Sequence, residues 1–213
     1  MSSDTLAVPR AVFSIEDPWA FPPACQPVRM RRATDGATPR LATSLAVYFD
    51  DQYLTVLYAA ADDLVVAALL EHDAPLYEED VVEAFLAPET MRRYFELEAN
   101  PRGTTFDALI DSPDGIRATM RADRAWDCEG LFVAVRKVVE SDGAMSIDIV
   151  LRVPFAGLGR ATPRDGELWR ANFFRIDRHP RRGDEFSAWQ PTMKTPPDFH
   201  VASAFGFLSF GTS

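Results

Sequence analysis

Alternation of apolar and polar side chains recurs in stretch after stretch from residue 41 onward. It constrains this chain more than any other feature, because a period of two belongs to strands with one buried face. Ser146 to Val153 shows it most cleanly, with Ile147, Ile149, Leu151 and Val153 pointing one way and Ser146, Asp148, Val150 and Arg152 the other. Leu131 to Val139 and Arg93 to Asn100 repeat the pattern, the latter setting Phe95, Leu97 and Ala99 against Tyr94, Glu96, Glu98 and Asn100. Further strands are expected over Ala42–Phe49, Tyr53–Ala60, Asp80–Leu86, Thr104–Ile110, Leu168–Asp177 and Phe205–Phe210, punctuated by turn signals at DDQ, NPRG, SPDG, SDG and PRDG. About nine or ten short strands with no recurring helix between them predict an all-β fold, a two-sheet antiparallel β-sandwich of the jelly-roll or immunoglobulin-like kind. Asp62–His72 (DDLVVAALLEH) fits a short helix or a fully apolar strand equally well.

Six of the 16 prolines (Pro9, Pro18, Pro22, Pro23, Pro27 and Pro39) fall in the first forty residues. Proline denies a ladder N–H to a regular strand, so residues 1–40 read as an irregular arm, held on the domain by Trp19 and Phe21. The sandwich itself is expected over 41–213. A chain of 213 residues with 47% apolar content can bury one substantial core. A net charge of −10 argues against nucleic acid and against an anionic membrane as partners. No run approaches the roughly 18 apolar residues of a bilayer span. The start of the chain shows no basic segment followed by an apolar run, so a cytoplasmic location is the default, and a secreted one applies if the sequence is a mature form. Cys25 and Cys128 are expected to be free thiols.

Motifs of catalysis are absent: there is no GxSxG, HExxH or phosphate-binding glycine loop, and His72, His179 and His200 lie far apart in loop-like stretches. Two features stand out. Glu83 lies between Val81 and Phe85 on one strand face, where a carboxylate needs a partner or an open site. Trp189, in FSAWQPT, offers a flat apolar ring beside polar residues, of the kind that stacks on the C–H face of a sugar.

Five segments in consistent order, TSLAVYFDDQYLTVLYAA, PLYEEDVVEAFLAP, YFELEANPRGTTFD, WRANFFRID and FSAWQPT followed by PDFHVASAFGFLSF, resemble the family 9 carbohydrate-binding modules in their single-domain form, over Ala42 to Phe210. The resemblance implies a jelly-roll-like sandwich and non-catalytic binding of a mono- or oligosaccharide between two aromatic rings, with polar groups at the sugar rim. It places Tyr77 and Trp189 as the clamp and Glu83 as the closing carboxylate of the acidic strand. The family's arginine on the next strand falls at Glu96 and its glutamine on the penultimate long strand at Phe174, so Asn172 or Arg175 are expected to supply replacement donors. Alternation sets Arg175 with Trp169, Ala171 and Phe173, and Asn172 with Phe174, leaving open which face is the binding one. Trp126 reads as a platform or a core anchor, Trp169 as core, and His200 as a residue that lines the site or, as the favoured reading, hydrogen-bonds its own loop. No cofactor is required. A structural calcium ion is an expectation of the resemblance, with Asp50, Asp51 and Asp80 as candidate ligands, although solvated acidic turns explain them as well. A separately encoded glycoside hydrolase is the expected partner. The competing readings are a sandwich that binds haem or another cofactor, a hydrolase acting through Glu83, and an interaction module that has lost its sugar.

Overall fold

A computed structural model describes residues 5–211 and shows two packed sheets, antiparallel apart from one parallel edge strand. The strands are β1 (Thr5–Pro9), β2 (Val28–Arg29), β3 (Arg31–Arg32), β4 (Thr43–Phe49), β5 (Tyr53–Asp62), β6 (Val81–Thr90), β7 (Arg93–Ala99), β8 (Thr105–Asp111), β9 (Arg121–Asp123), β10 (Phe132–Val139), β11 (Met145–Pro154), β12 (Leu168–Asp177), β13 (Glu185–Ala188) and β14 (Gly206–Gly211). The larger sheet runs β1-β14-β12-β6-β7-β8-β9, with β13 on β12 and β3 on β13; the smaller runs β10-β11-β5-β4-β2. One edge of β12 is shared: Leu168–Ala171 pair with β14 and Phe174–Asp177 with β13. The β-sandwich expected from the alternation is the fold found.

The core lies between the sheets. Ile147, Ile149, Leu151 and Val153 of β11 enter it from one side and Val82, Ala84 and Leu86 of β6 from the other. Tyr58 crosses the interface, its hydroxyl donating to the carbonyl of Glu83 at 2.8 Å. Both sheets are also covered outside, which is why several strands are apolar on both faces. On the larger sheet, Phe85, Tyr94, Ile110 and Phe174 pack beneath Phe199, Ala202 and Phe205 of the segment before β14. On the smaller sheet, Cys25, Ala11 and Phe13 cover Ala46 and Tyr48, and Arg152 lies 4.0 Å from the ring centroids of both Phe13 and Tyr53. Cys25 and Cys128 are free and buried.

The structure corrects two expectations. The proline-rich arm is not wholly irregular: β1 pairs in parallel with β14, β2 extends the smaller sheet and β3 pairs with β13. Each sits at an edge, and Pro9 ends its strand, where a missing N–H costs no ladder bond. Beyond Asp62, where β5 ends, the stretch to His72 is neither helix nor strand. Carboxylates take the place of ladder partners there: Asp62 accepts from Leu64 N, Asp80 from Val66 N, and Glu79 from both Ala68 N and Leu69 N. Among the described residues, no helix is long and apolar enough to cross a membrane.

Candidate functional site

Cross-strand register decides which side chains share the outer face of the larger sheet. Glu83 lies opposite Glu98 and Phe85 opposite Glu96, while Phe106 of β8 lies opposite Glu98 and Phe174 of β12 opposite Glu83. Paired residues point the same way, so three carboxylates and several aromatic rings come together on the side away from the core. The covering segments stop short of this patch and leave a cleft of 310 Å³. Glu83 and Glu96 line its floor, with Phe106, Ile176, Phe186 and Phe199 around them. Tyr77, which lies in the 3-10 turn Leu76–Glu78, forms one wall, its ring edge-on to Phe106 at 6.3 Å. Arg117, Arg124 and Arg178 also line the cleft, as do Asp198 and His200.

The arginines are held by other groups. Arg178 donates to the carbonyl of Tyr77 and to Asp184. Arg124 donates to the Tyr77 hydroxyl at 3.3 Å and lies over the Phe106 ring. Arg117 faces Asp198 at 3.6 Å. His200 reaches the cleft as well as its own loop: Nδ1 meets the Tyr94 hydroxyl at 2.8 Å and Nε2 lies 3.5 Å from Glu96.

The floor is unusual for its charge. Glu83 and Glu96 are 2% and 6% exposed and Glu98 is fully buried. One oxygen of each lies within 4.8 Å of the others. Neither oxygen of Glu98 has a hydrogen-bond partner. Burial pushes all three carboxyls up, Glu96 to about 7, and mutual repulsion adds to this at Glu83 and Glu98.

The sequence-based residues divide sharply against this geometry. Tyr77, Glu83 and Glu96 lie in the cleft. Trp189 does not: it follows β13 on the core side, is 6% exposed and packs on Phe173 at 5.8 Å, so no clamp with Tyr77 forms. Ala188 pairs with Phe174 on the outer face, and the next side chain must therefore turn inward. Arg175 also points inward. It ties the sheets together through Thr43 Oγ1, the Ala61 carbonyl, Asp62 and Asp177, and offers nothing to the cleft. Asn172 is on the outer face but fully buried, its amide bonded to Gln190 N and O across the gap between β13 and β14. Trp126 packs on Phe95 at 4.9 Å and lines a separate hollow with Arg93 and Arg160. Of the two readings of His200, the less favoured is the one found, since it lines the cleft.

The candidate calcium ligands do not converge. Asp50 accepts from Gln52 N and Tyr53 N and pairs with Arg152, and Asp51 pairs with Arg10. Asp80 lies instead beside Asp62 and Asp177, bonded to the amides of Val66 and Arg178, in a group whose charge Arg175 and Arg40 offset.

Glu98, Phe106, Arg117, Arg124, Arg178, Asp198 and Phe199 were not anticipated as site residues. For Glu98 the signal was present, since YFELEAN places it on the face of Glu96. The arginines and Phe199 come from loops whose docking no periodicity reports.

The whole arrangement has known counterparts. Over nearly its full length the chain superposes on a Bacteroides uniformis protein, with a TM-score of 0.72 at 20% identity, covering 98% of this chain and 100% of that one. It also superposes on a family 9 carbohydrate-binding module from Caldicellulosiruptor kristjanssonii. That module in complex with cellotriose gives a TM-score of 0.62 at 13% identity, covering 99% of this chain and 95% of that one. Its glucose complex gives 0.61 at 14% identity, covering 99% and 97%. No curated protein sequence matches. At these identities the superpositions speak for the fold alone. A model of carbohydrate-binding family 9, however, matches residues 35–210, from the end of the arm through β14, and on that match this chain belongs to carbohydrate-binding family 9.

Proposed function

We propose that this family 9 protein binds a pyranose non-catalytically in the cleft on the outer face of the larger sheet. The observation that carries the reading is the combination of linings. Tyr77, Phe106, Phe186 and Phe199 provide apolar surface for the C–H face of a sugar, and Glu83, Glu96, Arg178 and His200 provide hydrogen-bonding groups for its rim. The Caldicellulosiruptor module was solved with cellotriose and with glucose, so gluco-configured sugars are the first ligands to try. The carboxyls favour binding over hydrolysis. A retaining glycosidase pairs an ionised nucleophile with a protonated acid, whereas here burial drives all three toward the neutral form. A separately encoded glycoside hydrolase is the proposed source of the ligand.

Calorimetry against glucose, xylose, cellobiose, xylobiose and maltose tests the assignment. Saturable binding is expected, weakened by about tenfold or more in Tyr77→Ala, since losing one stacking face forfeits on the order of 1–2 kcal/mol. Aryl glycosides are expected to remain intact in its presence. Unchanged affinity in Tyr77→Ala moves the site elsewhere, and turnover of the aryl glycosides overturns the non-catalytic reading.

A further inference from the structure

The cleft floor holds carboxyls that, among the described residues, no arginine or lysine pairs with directly. Glu83 and Glu98 are direct cross-strand partners, and Glu96 lies on the same face two residues away. Like charges opposite one another destabilise a sheet, and burying them adds a desolvation cost, so such an arrangement needs a compensating cation. Among the described residues no arginine or lysine forms an ion pair with any of the three. Arg117, Arg124 and Arg178 are engaged with Asp198, Tyr77 and Asp184. Among the described residues the one basic group within 4 Å of the three is His200, 3.5 Å from Glu96, while the arginines act from farther off. Glu98 is the sharpest case, fully buried with both oxygens lacking a donor, and it lies directly behind the floor formed by Glu83 and Glu96.

We propose, resting on the sugar-binding reading above, that the preferred ligand is an amino sugar whose protonated amino group docks on Glu83 and Glu96 with Glu98 behind them. An ammonium is tetrahedral and has three donors and no acceptor. Charge-assisted N–H···O contacts of about 2.8 Å from one nitrogen set their acceptors about 4.6 Å apart, a spacing within the 4.8 Å that contains one oxygen from each glutamate. Two of the three glutamates line a cleft with aromatic walls, so the cation arrives attached to a ring that stacks on those walls. A neutral sugar offers hydroxyls to the same floor and no charge to hold its carboxyls ionised. An ammonium holds the carboxyls ionised that burial and repulsion otherwise drive toward protonation, so amino-sugar binding releases protons.

The test is calorimetry on the full chain near pH 7 with glucosamine, glucose, N-acetylglucosamine and calcium ion, in two buffers of different ionisation enthalpy. Glucosamine is expected to bind about tenfold or more tighter than glucose, the scale of one charge-assisted hydrogen bond, with a buffer-dependent heat that reports proton release. N-acetylation, which removes the charge, is expected to erase the advantage. Glu98→Gln is expected to reduce the preference toward unity while thermal unfolding shows the variant folded. Equal affinities for glucosamine and glucose overturn the inference and leave the sugar-binding reading standing. Binding of none of the sugars overturns that reading itself. Calcium binding that Glu98→Gln abolishes, with sugars indifferent to the amino group, overturns the inference in favour of a metal.

Discussion

Trp189→Ala is expected to cost about 3–5 kcal/mol of folding free energy, the range for truncating a large buried aromatic ring. The indole is 6% exposed, packs on Phe173 and belongs to the cluster that joins the two sheets. Its backbone N–H also donates to the Phe173 carbonyl at 2.8 Å, holding the segment that leaves β13 against β12. Removing the ring therefore opens a cavity at the junction of β12, β13 and the core, where the ladder limits relaxation. Urea or thermal unfolding with a tryptophan-independent probe measures the loss. The opposite result, wild-type stability with sugar binding abolished, would return Trp189 to the ligand and overturn the placement described above.

The second large effect is on pH. A carboxyl whose folded pKa is raised holds a proton that the unfolded chain has released. Its stabilising contribution is therefore complete below the unfolded value, about 4.3 for glutamate, and is lost as pH rises through the folded value. Glu96 and Asp80 are raised to about 7 and Asp107 to about 6, and Glu83 and Glu98 are raised as well, in every case chiefly by burial. Stability is thus expected to be greater near pH 5 than near pH 8, with the loss concentrated between about 5 and 8. Glu98→Gln keeps the shape, removes the charge and flattens this profile. At pH 8 it is expected to stabilise the fold by about 1–3 kcal/mol, because the amide cannot take on the buried, unpaired charge that the carboxyl gains as pH rises. For a chain of this size that is about 2–4 °C in Tm for each kcal/mol. Differential scanning calorimetry of both proteins at pH 5 and pH 8 is decisive: a lower Tm for the variant at pH 8 would mean that Glu98 has a charge partner in the fold.

Glu98 lies on a strand legible in sequence, whereas β13, which Trp189 follows, was not among the expected strands, and the surroundings of neither residue were legible. Alternation placed Glu83 with Val81 and Phe85, and Glu96 with Glu98, on single faces, and the register bears this out. It also set Arg175 with Trp169 and Phe173. Which of those two faces looks outward depends on what covers each, and that cover comes from the segment of Phe199, Ala202 and Phe205, distant in sequence. Arg175 therefore becomes a strut between sheets and Asn172 a clip at the gap in β12's edge, although both had the chemistry of sugar ligands. Trp189 was assigned by motif and lies in a flat-ringed, polar context, yet a single residue of alternation beyond Ala188 sends it into the core. Glu98 shares its strand face with Glu96, but one strand alone does not reveal that it faces Glu83.

By itself, the sequence determined the period-two strands, their turns and the sandwich that must bury their apolar faces, because alternation and turn chemistry are local; the family was legible separately, in the resemblance of five ordered segments. It also marked Tyr77, Glu83 and Glu96. Tertiary structure alone decided that β1, β2 and β3 join sheet edges within a proline-rich arm, and that loop carboxylates replace a ladder beyond Asp62. It also decided that the cleft is made of Tyr77, Phe106, Phe186, Phe199 and two buried glutamates, with a third beside them, in place of a tryptophan clamp. The physical reason is the same throughout: a strand's pattern states which residues share a face, and only the packing of distant segments states which face is left open to a ligand.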